Sequence, residues 1–364
     1  MAVVACCAPM QYSHRAWRHL GHFGVLGAAL LGNAAWSQDG SRCAAEPDPA
    51  RRLACYDRLF KPDPDATPAP PAAPAAALAA SAATPPGTGS GSIMSRLWEL
   101  DTTDKRRKFV VRTHLPNFLL PAHFTTHLNR APSSPTRAAL APNDRYRPLE
   151  AKLQVSLRAK AASDVLLPDA DLWLAYTQRS LWQLWNSQES APFRSSDYQP
   201  EAIYVVPVPD GLRALPFGWQ WRMVQVGVAH QSNGQAVPLS RSWNRVYLGA
   251  GFEHDEFGLQ WRVHRRVDES RSDDDNPDLT NYIGRGELVA TWLPGTATAS
   301  LAWRTNLRSI KRGSLQLDLT YPVDSDEPAG LRWYVQVFSG YGETLLDYNH
   351  RQTTLGLGLS LFQF

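Results

Sequence analysis

The sequence predicts an all-β fold: an antiparallel transmembrane β-barrel behind a short amino-terminal periplasmic extension. Three observations predict it. Beyond residue 93 the chain runs in short alternating stretches rich in Val, Leu, Trp, Tyr and Phe, broken by clusters of Pro, Gly, Asn and Asp, and helical periodicity is nowhere sustained. Two of the longest stretches are oily on one face only. After the leader no segment reaches the ~18 uninterrupted apolar residues of a spanning helix, so the mature chain is either soluble in the periplasm or crosses a membrane as strands.

In chain order, the first element is a leader. Residues 20–36 are a short apolar run behind His14, Arg15 and Arg18, and Ala35-Trp36-Ser37 places small residues where signal peptidase reads, so residues 1–37 are expected to be a signal peptide cut after Ser37. The stretch before the apolar run is long, which leaves Met10 as an alternative start. Cys6 and Cys7 fall in the leader, leaving Cys43 and Cys55 as an isolated pair in an exported chain, for which a disulfide is the natural expectation. Between and around them, residues 38–60 form a small segment with Leu53, Tyr56, Leu59 and Phe60 at helical spacing. Residues 61–93 turn Pro/Ala/Gly/Ser-rich, with no charge between Asp65 and Arg96, and form a linker.

Residues 94–364 make the main domain. Candidate strands lie at 109–113, 153–160, 172–179, 202–208, 219–231, 242–252, 258–265, 286–291, 298–305, 314–321, 333–339 and 353–364. About twelve strands suit an up-and-down barrel, although a β-sandwich gives a similar count. The faces are more telling. Val224, Val226 and Val228 alternate with Gln225, Gly227 and Ala229, and Val246, Leu248, Ala250 and Phe252 alternate with Arg245 and Tyr247. One apolar and one mixed face is the pattern of a lipid-facing wall. The chain ends with Leu355, Leu357, Leu359 and Leu361 in alternation before a terminal Phe364, with the phase slipping by one residue at Phe362. The 13 Trp and 12 Tyr, most of them beyond residue 170, suit a surface that repeatedly crosses a membrane–water boundary. The net charge of +3 comes with no concentrated basic stripe, which argues against a nucleic-acid binder.

The candidate chemistry lies in residues 230–244. His230 and Ser232 are two apart, so on a strand both project to one face. A hairpin centred near Val237 puts His230 opposite Asn244, each seven residues from that centre, with Cβ atoms ~5 Å apart. Asn244 then accepts from one imidazole nitrogen while the other takes a proton from Ser232, the division of labour of serine and cysteine hydrolases. An Asn in place of an Asp leaves the imidazolium without a buried negative charge, so another electrostatic aid is wanted, and a cation beside the oxyanion is the obvious candidate. All three residues end the two oily faces, which places the nucleophile outside the barrel at the membrane boundary. Taken alone, His-x-Ser at a strand end is more often an ordinary polar tip. The local signatures of rival enzyme classes, Gly-x-Ser-x-Gly, His-Glu-x-x-His, a P-loop and a dinucleotide fingerprint, are absent.

Residues 230–244, together with Tyr176-Thr-Gln178, Asn186-Ser-Gln-Glu-Ser190-Ala-Pro-Phe-Arg194, Asp274-Asp275-Asn-Pro-Asp278 and the run from Phe338 to Asn349, closely resemble the outer membrane phospholipase A family over residues 94–364. The resemblance implies a twelve-stranded barrel in the outer membrane that hydrolyses acyl esters of phospholipids and lysophospholipids, active as a calcium-bound homodimer. It implies Ser232 as nucleophile, His230 as base, Asn244 as orienting residue, Gln178 as the support of Asn244, and the Gly234 amide as an oxyanion donor. It further implies calcium held by the Gln235 carbonyl, Ser240 and Ser190 of the partner subunit, with Asp275 as an associated acid. The family often has a basic residue where Gln235 stands and can have an acid where Val237 stands, and residues 38–93 extend beyond its usual amino terminus. On composition alone Ser190 and Ser240 are turn residues, and Asp273, Asp274, Asp275 and Asp278 a solvated loop. A passive porin or a periplasmic binding module are the rival readings; neither requires a His, a Ser and an Asn at the end of an oily face.

Overall fold

The computed structural model describes residues 43, 46–60, 91–190, 193–270, 272–306 and 311–361, divided between two compact units, residues 1–77 and 78–364. The expected signal peptide, the expected linker as far as residue 90 and Phe364 lie outside the described residues. In the first unit, helix α1 (Pro49–Phe60) carries Cys55, which a disulfide joins to Cys43 with the Cα atoms 5.5 Å apart. The Asp48 carboxylate caps α1 by accepting from the amides of Ala50 and Arg51 at 2.8 and 3.0 Å.

The second unit opens with helix α2 (Ile93–Trp98) and the short strand β1 (Val111–Thr113). Twelve strands follow: β2 (Asn117–Thr125), β3 (Leu149–Ala162), β4 (Asp171–Trp182), β5 (Ser195–Pro207), β6 (Gln220–Ser232), β7 (Ser242–His254), β8 (Phe257–Val267), β9 (Gly286–Trp292), β10 (Thr298–Thr305), β11 (Ser314–Pro322), β12 (Leu331–Gly340) and β13 (Gln352–Leu361). Each pairs antiparallel with its sequence neighbours, and β13 pairs with β2, so the meander closes into a cylinder with no free edge. The number of wall strands is the number the sequence predicts, but the membership differs. Residues 109–113 yield only β1, which adds three residues to one end of β3, whereas β2 was not foreseen. Pro121 in its middle withholds a ladder hydrogen bond, and the register with β3 shifts between Leu120 and His123, so the strand lacks a clean alternation.

The wall is inside-out relative to a water-soluble fold. Along β3, Glu150, Lys152, Gln154, Ser156, Arg158 and Lys160 are buried while Val155 and Leu157 are 46% and 40% exposed. Strict alternation makes that arrangement automatic, and it is favourable only when the outer surroundings are apolar. Several of the buried charges are paired across the lumen. Lys160 bridges Glu99 and Asp171 at 2.8 and 2.7 Å, and Arg194 bridges Glu150 and Asp347 at 2.7 and 3.2 Å. Glu343, on the connection that returns from β12 to β13, dips into the cylinder to meet Lys152 at 2.6 Å and His123 at 2.9 Å. Gly342 allows that dip: its φ is +75° and a Cβ there would lie 2.2 Å from Ile283. The lumen is therefore filled. A cavity between Arg179, Glu201, Arg245 and Tyr348 has a volume of ≈ 120 Å³.

One mouth of the cylinder is stoppered by α2. Ser92 caps the helix by accepting from Ser95 N at 2.9 Å and donates to Glu253 at 2.9 Å. Met94, Trp98 and Leu100 pack on Trp173, Ile203, Val205 and Met223, and the Arg158 guanidinium lies 4.1 Å over the Trp98 ring. At this end several connections are short, as between His254 and Phe257 or Trp292 and Thr298, although residues 208–219 make a longer one. The long connections, residues 126–148, 233–241 and 268–285 among them, gather at the opposite mouth, the arrangement of an outer-membrane barrel whose long loops face the cell exterior.

Candidate active site

The long-loop end of the β6–β7 hairpin carries the three residues singled out from the sequence. His230 is paired with Asn244 across the ladder, and Ser232 with Ser242. Asn233 builds the turn beyond them. Its buried Oδ1 accepts from the amides of Arg241 at 2.9 Å and Gln235 at 3.3 Å, and its Nδ2 donates to the Leu239 carbonyl at 2.8 Å. The alternation fixes the direction of each side chain. Gln225, Gly227 and Ala229 face the lumen, while Val226, Val228, Val246 and Leu248 are exposed on the outer wall. His230, Ser232 and Asn244 continue that outer face at its water-side end.

There His230 Nδ1 lies 2.8 Å from Asn244 Oδ1. An amide oxygen only accepts, so Nδ1 donates and Nε2 is left as the acceptor. Two strand residues away, roughly 7 Å along the backbone, Ser232 stands on the same face. Its hydroxyl makes no hydrogen bond among the described residues. Gly234 follows in the left-handed region at φ +63°, and its amide donates no hydrogen bond among the described residues.

Around the turn the residues expected near a cation are partly assembled. Ser240 Oγ donates to Asp275 Oδ2 at 2.5 Å, and Arg137 Nε to Asp275 Oδ1 at 2.6 Å. Gln235 lies on the same β6–β7 turn as Ser240, its side-chain amide donating to the Arg194 carbonyl at 3.4 Å. Ser190 lies on the β4–β5 connection, where its carbonyl accepts from Trp182 Nε1. Among the described residues no group of three or more His, Cys, Asp or Glu is placed to hold a metal. The oxygen donors present, a carboxylate, a hydroxyl and a backbone carbonyl, are nevertheless the hard type that suits calcium.

Gln178 is not brought to Asn244. It donates to Ser180 at 3.3 Å, and strands β5 and β6 stand between its strand and that of Asn244. The Asn244 amide instead donates to Glu269 Oε1 at 3.1 Å. Sequence reasoning missed Glu269 because the candidate strand ended at residue 265. The β7–β8 ladder runs two residues further, pairing Val267 with Asn244 and so delivering Glu269 beside it. Asn233 and Arg137 were missed too. Both act from loops, where no period marks a residue.

A closed, inside-out cylinder with a hydroxyl, an imidazole and a carboxamide on its outer wall defines a transmembrane β-barrel with the makings of a lipid-ester hydrolase. A model of the phospholipase A1 family matches residues 94–361, and the chain belongs to that family of outer-membrane enzymes. It is 35% identical over 362 residues to a putative phospholipase A1 of Neisseria meningitidis, covering 89% of this chain and 91% of the relative. It is 38% identical over 212 residues to phospholipase A1 of Escherichia coli K12, covering 58% and 69%. The fold matches outer membrane phospholipase A from Escherichia coli with a TM-score of 0.61 at 34% identity, covering 70% of this chain and 100% of that one. It also matches the Salmonella typhi outer membrane phospholipase dimer with bound calcium, at TM-score 0.61 and 32% identity over 75% and 98% of the two chains.

Proposed function

We propose that the enzyme hydrolyses acyl esters of phospholipids and lysophospholipids by nucleophilic catalysis, with Ser232 as nucleophile, His230 as base and Asn244 holding the imidazole. The observation that carries this reading is the 2.8 Å contact between His230 Nδ1 and Asn244 Oδ1 on the outer wall beside Ser232. With Nδ1 committed to Asn244, Nε2 takes the Ser232 proton as Oγ bonds to the acyl carbon. It then returns that proton to the departing alcohol oxygen of the lipid. Water attacks the acyl-enzyme by the same path and releases the fatty acid. The Gly234 amide, unbonded among the described residues, is suited to donate to the carbonyl oxygen as its charge develops. The site opens sideways onto Val226, Val228, Val246 and Leu248, so an acyl chain reaches it from the bilayer without leaving an apolar medium.

The Gln235 carbonyl, Ser240 and Asp275 would hold calcium, joined by Ser190 of the partner subunit in a homodimer. The bound calcium of the Salmonella typhi dimer supports this, as does the all-oxygen donor set here. Calcium, when bound, supplies positive charge and polarised water near the developing oxyanion. In this chain Asp275 is shared with Arg137, whose guanidinium holds the carboxylate in place beside Ser240.

The test is fatty-acid release from mixed micelles by the refolded parent and by Ser232→Ala, each with calcium and with chelator. The parent is expected to lose at least about tenfold on chelation, and the variant to fall by at least about 1,000-fold in either condition. Hydrolysis by Ser232→Ala at the parent's rate would overturn the assignment.

A further inference from the structure

An asparagine in the orienting position leaves the imidazolium without the carboxylate that serine hydrolases ordinarily place behind it. The carboxylate is not missing; it is one residue further back. We infer that Glu269 is a positioning residue of the reaction: its carboxylate fixes the Asn244 amide, and through it the histidine tautomer, completing a chain Ser232, His230, Asn244, Glu269. The inference deepens the proposed serine mechanism and rests on it.

The geometry is a line of directed hydrogen bonds. Asn244 Nδ2 donates to Glu269 Oε1 at 3.1 Å, and Asn244 Oδ1 accepts from His230 Nδ1 at 2.8 Å. The direction follows from the last member. An ionised carboxylate only accepts, so the amide must turn its NH2 group toward Glu269 and its oxygen toward His230. An amide oxygen also only accepts, so His230 must carry its proton on Nδ1, and Nε2 is the nitrogen free to act as base. Without Glu269 the amide can flip, and a flipped amide would donate to Nδ1 and select the tautomer that cannot take the serine proton. The carboxylate also reaches the imidazolium through a polarisable amide, which answers the charge that forms on His230 when the proton is transferred.

Glu269 is itself held. Arg266 Nη2 stands 3.6 Å from Glu269 Oε2 and 2.7 Å from Asp274 Oδ1, while Arg266 Nη1 donates to the Asn276 carbonyl at 2.7 Å. Among the described residues, the charged groups that bear on Glu269 include Arg266 from β8 and Asp274 and Asp275 from the β8–β9 connection; Arg265, Asp268 and Arg285 line the same pocket, and His230 is on the far side of Asn244. The same connection carries Asn276, whose Oδ1 accepts from Ser242 N at 3.1 Å, so it is clasped to the β7 end beside Asn244.

Glu269→Gln keeps an acceptor but adds a donor and removes the charge; Glu269→Leu removes the acceptor as well. Each is refolded, checked by its heat-dependent gel migration, and assayed on mixed micelles with calcium for kcat and KM, beside Asn244→Ala, the double variant Asn244→Ala/Glu269→Leu, and Ser232→Ala. Glu269→Leu is expected to lower kcat by about tenfold or more with KM within about twofold, and Glu269→Gln by less. The double variant is expected to match Asn244→Ala alone, because a residue acting through Asn244 has nothing left to act on. A Glu269→Leu enzyme with the parent's kcat, or losses that multiply in the double variant, would overturn the inference. Should Glu269→Leu fail to refold, the isosteric Glu269→Gln decides: an unchanged kcat overturns it and a lowered kcat at steady KM supports it. Activity retained by Ser232→Ala would instead remove the serine mechanism itself, a result separate from an inert Glu269.

Discussion

At the scale of single residues, the site sets charge against burial. Burial raises the Glu269 pKa from its ordinary value, Asp274 adds to the rise, and Arg266 and the Asn244 amide offset part of it. The sign of the consequence follows by linkage. Above the usual carboxylate range an unfolded Glu269 ionises freely, whereas the folded one resists, so its ionisation counts against the folded state at neutral pH and not at low pH, where both are protonated. Glu269→Gln is therefore expected to melt higher than the parent near pH 7 and at the same temperature near pH 3.5, as read by thermal unfolding in detergent micelles. A variant that is slower yet more stable is the signature of a group kept for function rather than for folding. A Glu269→Gln enzyme that melts lower than the parent at neutral pH would mark the carboxylate as a structural tie.

At the scale of elements, the β6–β7 hairpin was legible in the sequence because from Met223 and Gly251 to the turn its two strands alternate without a register shift and its turn has equal arms about Val237. Counting alone gave the pairing of His230 with Asn244 and the outward direction of both. Helix α2 was not legible, because six residues are too few to show a period and its stability comes from Trp98 and Met94 buried in the barrel mouth. Glu269 was not legible either, since a loop position has no periodicity and its role arises from how far β8 extends. The lumen face of the hairpin gives a test of its own. A Cβ on Gly227 would stand 2.2 Å from the Tyr247 ring, which is buried and donates through its hydroxyl to Glu201 at 3.2 Å. Because a buried ring cannot swing aside as a flexible chain does, Gly227→Ala is expected to destabilise the barrel by about 1–3 kcal/mol in denaturant unfolding. On the outer face of the same strand Val226 is 50% exposed beside Tyr204 and Leu248, and Val226→Ala is expected to cost less than about 1 kcal/mol. Equal costs at the two positions would mean that the lumen is loosely packed.

At the scale of the whole molecule, the barrel is held by two fillings, the polar lumen and the stopper at its short-loop mouth. The lumen charges lean on their partners: among the described residues Glu343 is the carboxylate that ion-pairs with Lys152 and His123, while Gln336 gives Lys152 only a neutral acceptor at 2.6 Å, so removing Glu343 leaves a buried ammonium without its counter-charge. The stopper works through apolar area and one anchor, Glu253, which receives Ser92 Oγ and the Met94 amide at 2.9 Å each and pairs with Arg222 at 3.2 Å. Residues 1–77 form a separate unit, whereas residues 92–100 are part of the barrel. A truncation series distinguishes the two. Removing residues 38–77 leaves every described contact of the barrel in place, and fatty-acid release is expected to stay within about twofold of the parent. Extending the cut through Trp98 exposes Trp173 and Met223 and forfeits the burial of Met94 and Trp98, about 1.5–3 kcal/mol for each large side chain. It also strips two donors from buried Glu253, so unfolding in denaturant is expected to come at a clearly lower midpoint, with hydrolysis at the opposite mouth reduced only insofar as the barrel loosens. If instead the shorter truncation abolishes hydrolysis while the barrel still folds, the extension bearing Cys43 and Cys55 takes part in the enzyme's work.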